Sequence, residues 1–435
     1  MEGKTMNNMI LKSVYAVNFG PFADRVEFTL EAEKGKKEHP NNLFEDENSI
    51  YNKVAYIFGA NGAGKSFFCK ILRQIQSIIM LSPILASGNI QLIDSGPLKD
   101  LASTVPTFKF ASTYTDKSTL LGLCIVIGKT SYTYEFTIQN GRILTERLQK
   151  KYRRTETILD RTSPLYTDIS LKSELSSFTP NLSVVKEDVL CLSMASFLNN
   201  SFAIELISAI RNIPIINMAS LRAGTNITED KFTEERIAKY VNVLKKADPT
   251  MNSLKVSFKD KKVERQKFSP DDFENKEIIM ETAKIDVESS HHVFSDGKVV
   301  DTVKMPFFQT ESNGTIKLFT VLPHLFNILE DGGTLVLDEI ENGLHPIVVK
   351  ELVQLFYNPK TNPFNAQLIC TTHDVNLIEN DVRRDQMWIM SKDNTGKSTL
   401  NRVSTLLSMR GNVNLKQKYF EGAFGYIPNK FFENK

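Results

Sequence analysis

The first clear rhythm in the chain is an alternation of apolar and polar positions in ILKSVYAVNFGPFADRVEFTL, residues 10–30, interrupted by Gly20-Pro21. It predicts a strand, a turn and a second strand. The polar run at 34–49 then predicts a surface loop. VAYIF, residues 54–58, is a short apolar strand, and FFCKILRQIQSIIML, residues 67–81, repeats its apolar positions at helical spacing. From Thr107 to Arg147 the segments FKFAST, LLGLCIVI and YTYEFTIQNGRILTERL predict a β meander with a hairpin turn at Asn140-Gly141. Between 185 and 247 the spacing approaches 3.6, which predicts a mainly helical insertion, without the sustained heptads of a long coiled-coil arm. From Lys304 onward helix and strand alternate, ending in a strand-rich tail.

A chain of 435 residues accommodates one large α/β domain with an insertion, or two domains of ordinary size. The pattern divides it into 1–150, with the glycine loop and the meander; 151–300, the helical insertion; and 301–435. Lys and Arg number 53 against 51 Asp and Glu, so no global field compels binding to nucleic acid or anionic lipid. Cys69, Cys124, Cys191 and Cys370 lie too far apart for a zinc motif, which fits a reducing cytoplasm. There is no signal-peptide pattern, and no apolar run approaches the roughly 20 residues that cross a bilayer. The expectation is a soluble, cytoplasmic protein with no membrane partner.

The strongest chemical signal is GANGAGKS, Gly59 to Ser66, which matches G-x-x-x-x-G-K-[ST]. Glycines let a backbone fold round phosphates with its N–H groups inward, and the helix that follows offers its positive end. The nucleotide-binding candidates are Gly59, Ala60, Asn61, Gly62, Ala63, Gly64, Lys65, Ser66 and Phe67. Lys65 is expected to reach the β- and γ-phosphates of ATP, and the Ser66 hydroxyl to bind Mg2+. A second GKS, Gly396 to Ser398, has Ser391 where the motif needs glycine, and is expected to be a hairpin.

In GGTLVLDEIENGLHP the apolar run Leu335–Leu337 ends on Asp338-Glu339. Alone, this reads as a strand entering a polar turn. Beside a complete glycine loop it reads as Asp338 holding Mg2+ and Glu339 polarising the attacking water of an ATPase. A further apolar strand, AQLICTTHD, ends at His373.

Together these segments resemble the α/β P-loop NTPase fold of the ABC ATPase type, as used by SMC proteins, here with an antiparallel β subdomain and the helical insertion. The resemblance implies that His373 senses the γ-phosphate. It implies that TESNGTIKLF is a degenerate signature, in which Ser312, Asn313, Gly314 and Thr315 cap the ATP of another subunit in a head-to-tail homodimer. Asn342, Gly343 and His345 then belong to the loop that crosses the dimer interface. With NFGPF, ESNGT, RRDQMWIM and YFEGAFGYIP, the chain is similar to AAA-annotated ATPases of bacterial phage-defence operons: the abortive-infection L type, RloA and PARIS. That similarity covers the first 150 residues and those after about 300. It implies a regulatory ATPase that answers a phage protein or nucleic acid and controls a separate nuclease or TOPRIM-like effector. The chain departs from the transporter pattern in lacking LSGGQ and an obvious Q-loop glutamine.

Two other classes compete. An OLD-type nuclease would need a TOPRIM domain after the head, and only 62 residues follow His373; a DNA-repair or transporter ATPase would carry long coiled coils or LSGGQ. No second acidic strand-end cluster suggests a nuclease centre, and the tail GAFGYIPNKFFENK offers aromatic residues for docking an effector. Lys150-Lys151-Tyr152-Arg153-Arg154 is expected to be the solvated end of a hairpin, His291-His292 a loop, and Phe19 and Phe22 core residues.

Overall fold

A computed structural model describes residues 9–33, 38–87, 105–221, 229–267, 277–378, 382–406 and 414–422, with backbone alone at 260–267 and 277–283. The tail proposed for effector docking lies largely outside them.

The antiparallel strands of the N-terminal region are β1 (Met9–Val17), β2 (Val26–Thr29), β6 (Thr119–Ile127), β7 (Thr130–Gln139), β8 (Arg142–Lys151), β9 (Thr155–Arg161) and β10 (Ile169–Leu171). They form one sheet in the order β10-β9-β8-β7-β6-β1-β2. Asn140 and Gly141, both at positive φ, make the β7–β8 turn, as expected of Asn-Gly between twisted strands. A small ribbon, β3 (Leu43–Glu45) with β4 (Ile50–Asn52), follows the first hairpin.

The central sheet is assembled from distant parts of the chain. It contains β5 (Val54–Gly59), β11 (Ile215–Asn217), β15 (Thr334–Asp338), β16 (Gln367–Thr372), β17 (Met387–Lys392) and β18 (Ser398–Arg402), in the order β11-β15-β16-β5-β17-β18. The first five are parallel and β18 pairs antiparallel with β17. All of β5 is buried because both faces are covered. Ala55 and Ile57 face a core shared with α1 (Lys65–Ser87) and the seven-stranded sheet. Val54, Tyr56 and Phe58 face the other core, built with α4 (Glu234–Ala247), α5 (Asn313–Asp331) and α6 (Pro346–Tyr357). Helices α2 (Cys191–Phe197) and α3 (Ser201–Arg211) complete the first core. Among the described residues α1 alone is long and apolar enough to cross a bilayer, and most of it is packed inside the protein.

Four expectations need correction. The boundary at 150 falls inside β8, because the meander runs on through β10. The stretch 151–300 is not mainly helical: after α4 the chain forms β12 (Met251–Lys267), β13 (Glu277–Ser295) and β14 (Lys298–Pro306), an antiparallel sheet in that order. Leu254, Val256 and Phe258 alternate with polar residues, the period of a strand rather than a helix. His291 and His292 lie in β13 and not in a loop. The tail after β18 also differs: its described residues form short helices at Val403–Leu406 and α7 (Leu415–Phe420) rather than further strands. The Asp393–Gly396 hairpin is as expected, with Gly396 at φ 83°, and Phe19 and Phe22 are fully buried.

Candidate nucleotide site

The glycine loop leaves the carboxyl end of β5 and enters α1 at Lys65. Gly62 and Gly64 have φ of 77° and 115°, conformations that side chains disfavour, and a Cβ on Gly62 would have no neighbour within 4 Å. Gly59 is glycine for a different reason: a Cβ there would lie 2.5 Å from the Met390 carbonyl oxygen on β17. Phe67 turns its ring to Gly20 and Phe19, and Lys70 lies over that ring, so its side chain packs against the β1–β2 turn.

Lys65 is 6% exposed and folds back on its own loop. Its Nζ donates to the carbonyls of Gly59 at 2.7 Å and Ala60 at 3.1 Å, and stands 3.3 Å from Nδ1 of His373. Burial draws its pKa down to about 8, against the opposing charges of Glu341, Asp338 and Glu339. Burial and the Lys65 charge also lower the pKa of His373, favouring neutral imidazole. Lys65 and His373 come together because β16 is the immediate neighbour of β5.

Asp338 ends β15 and is 2% exposed. Its Oδ1 accepts from Thr371 Oγ at 2.6 Å and its Oδ2 from Asn217 Nδ2 at 2.5 Å. Thr371 also accepts from the backbone N–H of Glu339 at 2.8 Å, so one hydroxyl holds both members of the acidic pair. Glu339 has φ of 57°, a left-handed conformation uncommon for a residue with a side chain and of the kind that collects at functional sites. Its Oε2 accepts from Asn342 Nδ2 at 3.2 Å. Asn217 was invisible to motif reading. Only its place at the end of β11, beside β15, brings it to Asp338.

The Ser312–Thr315 segment opens α5, with Ser312 Oγ as N-cap to Thr315 N at 3.1 Å. Ser312 and Asn313 are exposed and Thr315 is buried. A Cβ on Gly314 would lie 2.7 Å from the Gly343 carbonyl oxygen, and Lys317 of the same helix donates to Asn342 Oδ1 at 2.6 Å. The segment therefore packs on the 342–345 loop of its own chain, and among the described residues no hydrogen bond joins it to the glycine loop. His345 is exposed and caps α6 through Nδ1 to Ile347 N at 3.3 Å. Just before the segment, Glu311 Oε1 meets His291 Nε2 at 2.8 Å, while Asp248 Oδ2 lies 3.6 Å from His291 Nδ1. His291 thus has the carboxylate neighbours that its sequence surroundings concealed.

A glycine loop between a buried parallel strand and a long helix, with an acidic pair ending the strand two places away, defines a P-loop NTPase. The chain belongs to the family described as "AAA domain, putative AbiEii toxin, Type IV TA system", matched over residues 54–379, and is an AAA-type ATPase of the kind associated with abortive infection and toxin–antitoxin systems. No curated protein matches the chain. That family generally binds ATP with Mg2+, and the residues present fit both. The positive-φ Gly62 opens onto free space where a phosphate could lie, Lys65 stands beside the loop, and the Ser66 hydroxyl and Asp338 carboxylate are hard oxygen donors of the kind Mg2+ prefers.

Proposed function

We propose that this chain is the ATP-hydrolysing regulatory subunit of an anti-phage abortive-infection system, built on an ABC/SMC-type head. The observation that carries the reading is the convergence of Lys65, Asp338, Glu339 and His373 at the carboxyl edge of one parallel sheet, from positions as much as 308 residues apart.

On this reading Lys65 leaves the Gly59 and Ala60 carbonyls to neutralise the β- and γ-phosphates, and Ser66 and Asp338 would hold Mg2+, which would supply further charge neutralisation. Glu339 orients the attacking water and accepts its proton as the β–γ phosphoanhydride bond breaks, giving ADP and phosphate. His373, with its ring next to Lys65, hydrogen-bonds the γ-phosphate. Two heads associate through ATP, with Ser312, Asn313, Gly314 and Thr315 of one facing the nucleotide of the other. The exposure of Ser312 and Asn313 beside the 342–345 loop supports this arrangement. Association changes how tightly a separate effector is held.

The chemical test compares Lys65→Ala with Glu339→Gln. The first should lose ATP binding; the second should keep it and stall turnover, because Glu339 acts on water rather than on bound phosphate. Equal ATP affinity in wild type and Lys65→Ala removes the phosphate role of Lys65. Normal turnover in Glu339→Gln removes Glu339 from catalysis. The biological test expresses the chain with and without its neighbouring gene under phage challenge. Growth arrest from the chain alone would favour the toxin named in the family description over a regulator.

A further inference from the structure

We propose that Glu341 is a positioning residue of the nucleotide site, whose carboxylate anchors the backbone of His373 and whose charge holds Lys65 in its resting place. The inference rests on the ATP-hydrolysing reading of this site.

Glu341 lies in the turn between β15 and α6, two residues beyond Glu339. Its Oε1 accepts from the backbone N–H of His373 at 2.6 Å, a charge-assisted bond stronger than a neutral one. Among the described residues it is the one hydrogen bond from the β15–α6 turn to His373, the residue that follows β16. Its Oε2 is shielded from solvent and has no hydrogen-bond partner among the described residues. A carboxylate oxygen in that position costs free energy unless a positive charge compensates it. The nearby positive charge is Lys65, whose Nζ stands 3.3 Å from Nδ1 of the same His373 that Glu341 holds through its backbone. In keeping with that placement, the Glu341 charge raises the pKa of both Lys65 and His373 against the effect of burial. The two carboxylates of the turn therefore divide the work. Glu339 is held by Asn342 and Thr371, whereas Glu341 holds His373, the neighbour of Lys65, and these are the two groups that must change partners when a triphosphate arrives. Before ATP binds, Glu341 balances Lys65. Once Lys65 turns to phosphate, the Glu341 charge opposes the γ-phosphate and limits the affinity for ATP.

The charge and the anchor separate in two variants. Glu341→Gln keeps a carbonyl oxygen for the His373 N–H and removes the charge, so it should bind ATP about three- to tenfold more tightly and retain most of the wild-type kcat. Glu341→Ala removes both and should lower kcat about tenfold through His373. The Glu341→Ala/His373→Ala double variant should turn over no more slowly than His373→Ala alone, because the two act as one unit. Steady-state kinetics, ATP titration in Mg2+ and melting temperatures for wild type and the four variants read these out. Unchanged ATP affinity in Glu341→Gln overturns the charge role, even if Glu341→Ala does not fold. A kcat in Glu341→Gln as low as in Glu341→Ala, or losses that multiply in the double variant, overturns the anchor. A wild-type chain that does not bind ATP defeats the underlying reading instead.

Discussion

Replacing Thr371 by Val isolates a single hydroxyl at the centre of the site. Thr371 is fully buried, and Val has nearly its shape, so no cavity is opened. Two hydrogen bonds disappear: the donation to Asp338 Oδ1 at 2.6 Å and the acceptance from Glu339 N at 2.8 Å. The first is made to a charged group and is worth about 1.5–3 kcal/mol, and the second leaves a shielded N–H unpaired at about 1–3 kcal/mol. Partial compensation by relaxation brings the expected loss of stability to about 3 kcal/mol, read as a lower urea midpoint at unchanged slope. The rate should suffer independently. Among the described residues Asp338 keeps only Asn217 as a side-chain partner, and Glu339 loses the bond that steadies its left-handed backbone, so turnover should fall by at least about tenfold. Thr371→Ser, which keeps the oxygen, should recover most of both losses. A Thr371→Val protein within about 0.5 kcal/mol of wild type and hydrolysing ATP at the normal rate would refute the reasoning, because the hydroxyl would then organise nothing.

Asn313→Arg should prevent ATP-dependent association of Glu339→Gln heads, measured by light scattering. It is a cleaner probe than Gly314→Arg, since any Cβ on Gly314 would first strike the Gly343 carbonyl of its own chain. His291→Ala should destabilise the protein by about 2 kcal/mol in chemical denaturation, because the side chain of Glu311, only 5% exposed, keeps Ser289 but loses its hydrogen bond with His291. His324, buried in α5, has its pKa lowered to about 4 by burial and then by Lys231. Its unfolded value near 6.5 is higher, so the unfolded chain takes up a proton first. This contribution to stability is complete above pH 6.5 and is lost down to pH 4, by about 3 kcal/mol. His324→Gln should remove that part of the acid slope in denaturation curves.

Where local chemistry dictates local geometry, the sequence was a sufficient guide. The glycine loop, the buried run of β5 and the hairpin glycines Gly141 and Gly396 could each be read from a few adjacent residues. The three-stranded sheet could not, because β14 is exposed almost throughout and its charged residues blur the alternation on which strand recognition depends. Asn217 ends a strand of three residues, too short for any periodicity, and gains meaning only from the parallel pairing of β11 with β15. Glu341 sits between two obvious motifs and looks like an ordinary polar turn residue. Its significance comes from the adjacency of β16, which no reading of the turn itself supplies. His291 was misread for the same reason, since Glu311 and Asp248 reach it from separate elements.

The order of strands in the central sheet also bears on the time at which a working site can exist. β16 is the spacer between β5 and β15, yet it is made after both. At roughly 5–20 residues per second, the glycine loop waits about 15–60 s on the ribosome before His373 is made. Throughout that interval β5, apolar along its whole length, lacks both of its neighbours and is a natural client for chaperones. A chain interrupted at residue 366 would carry every residue of the glycine loop and both carboxylates of the acidic pair, but not the strand that sets the distance between them.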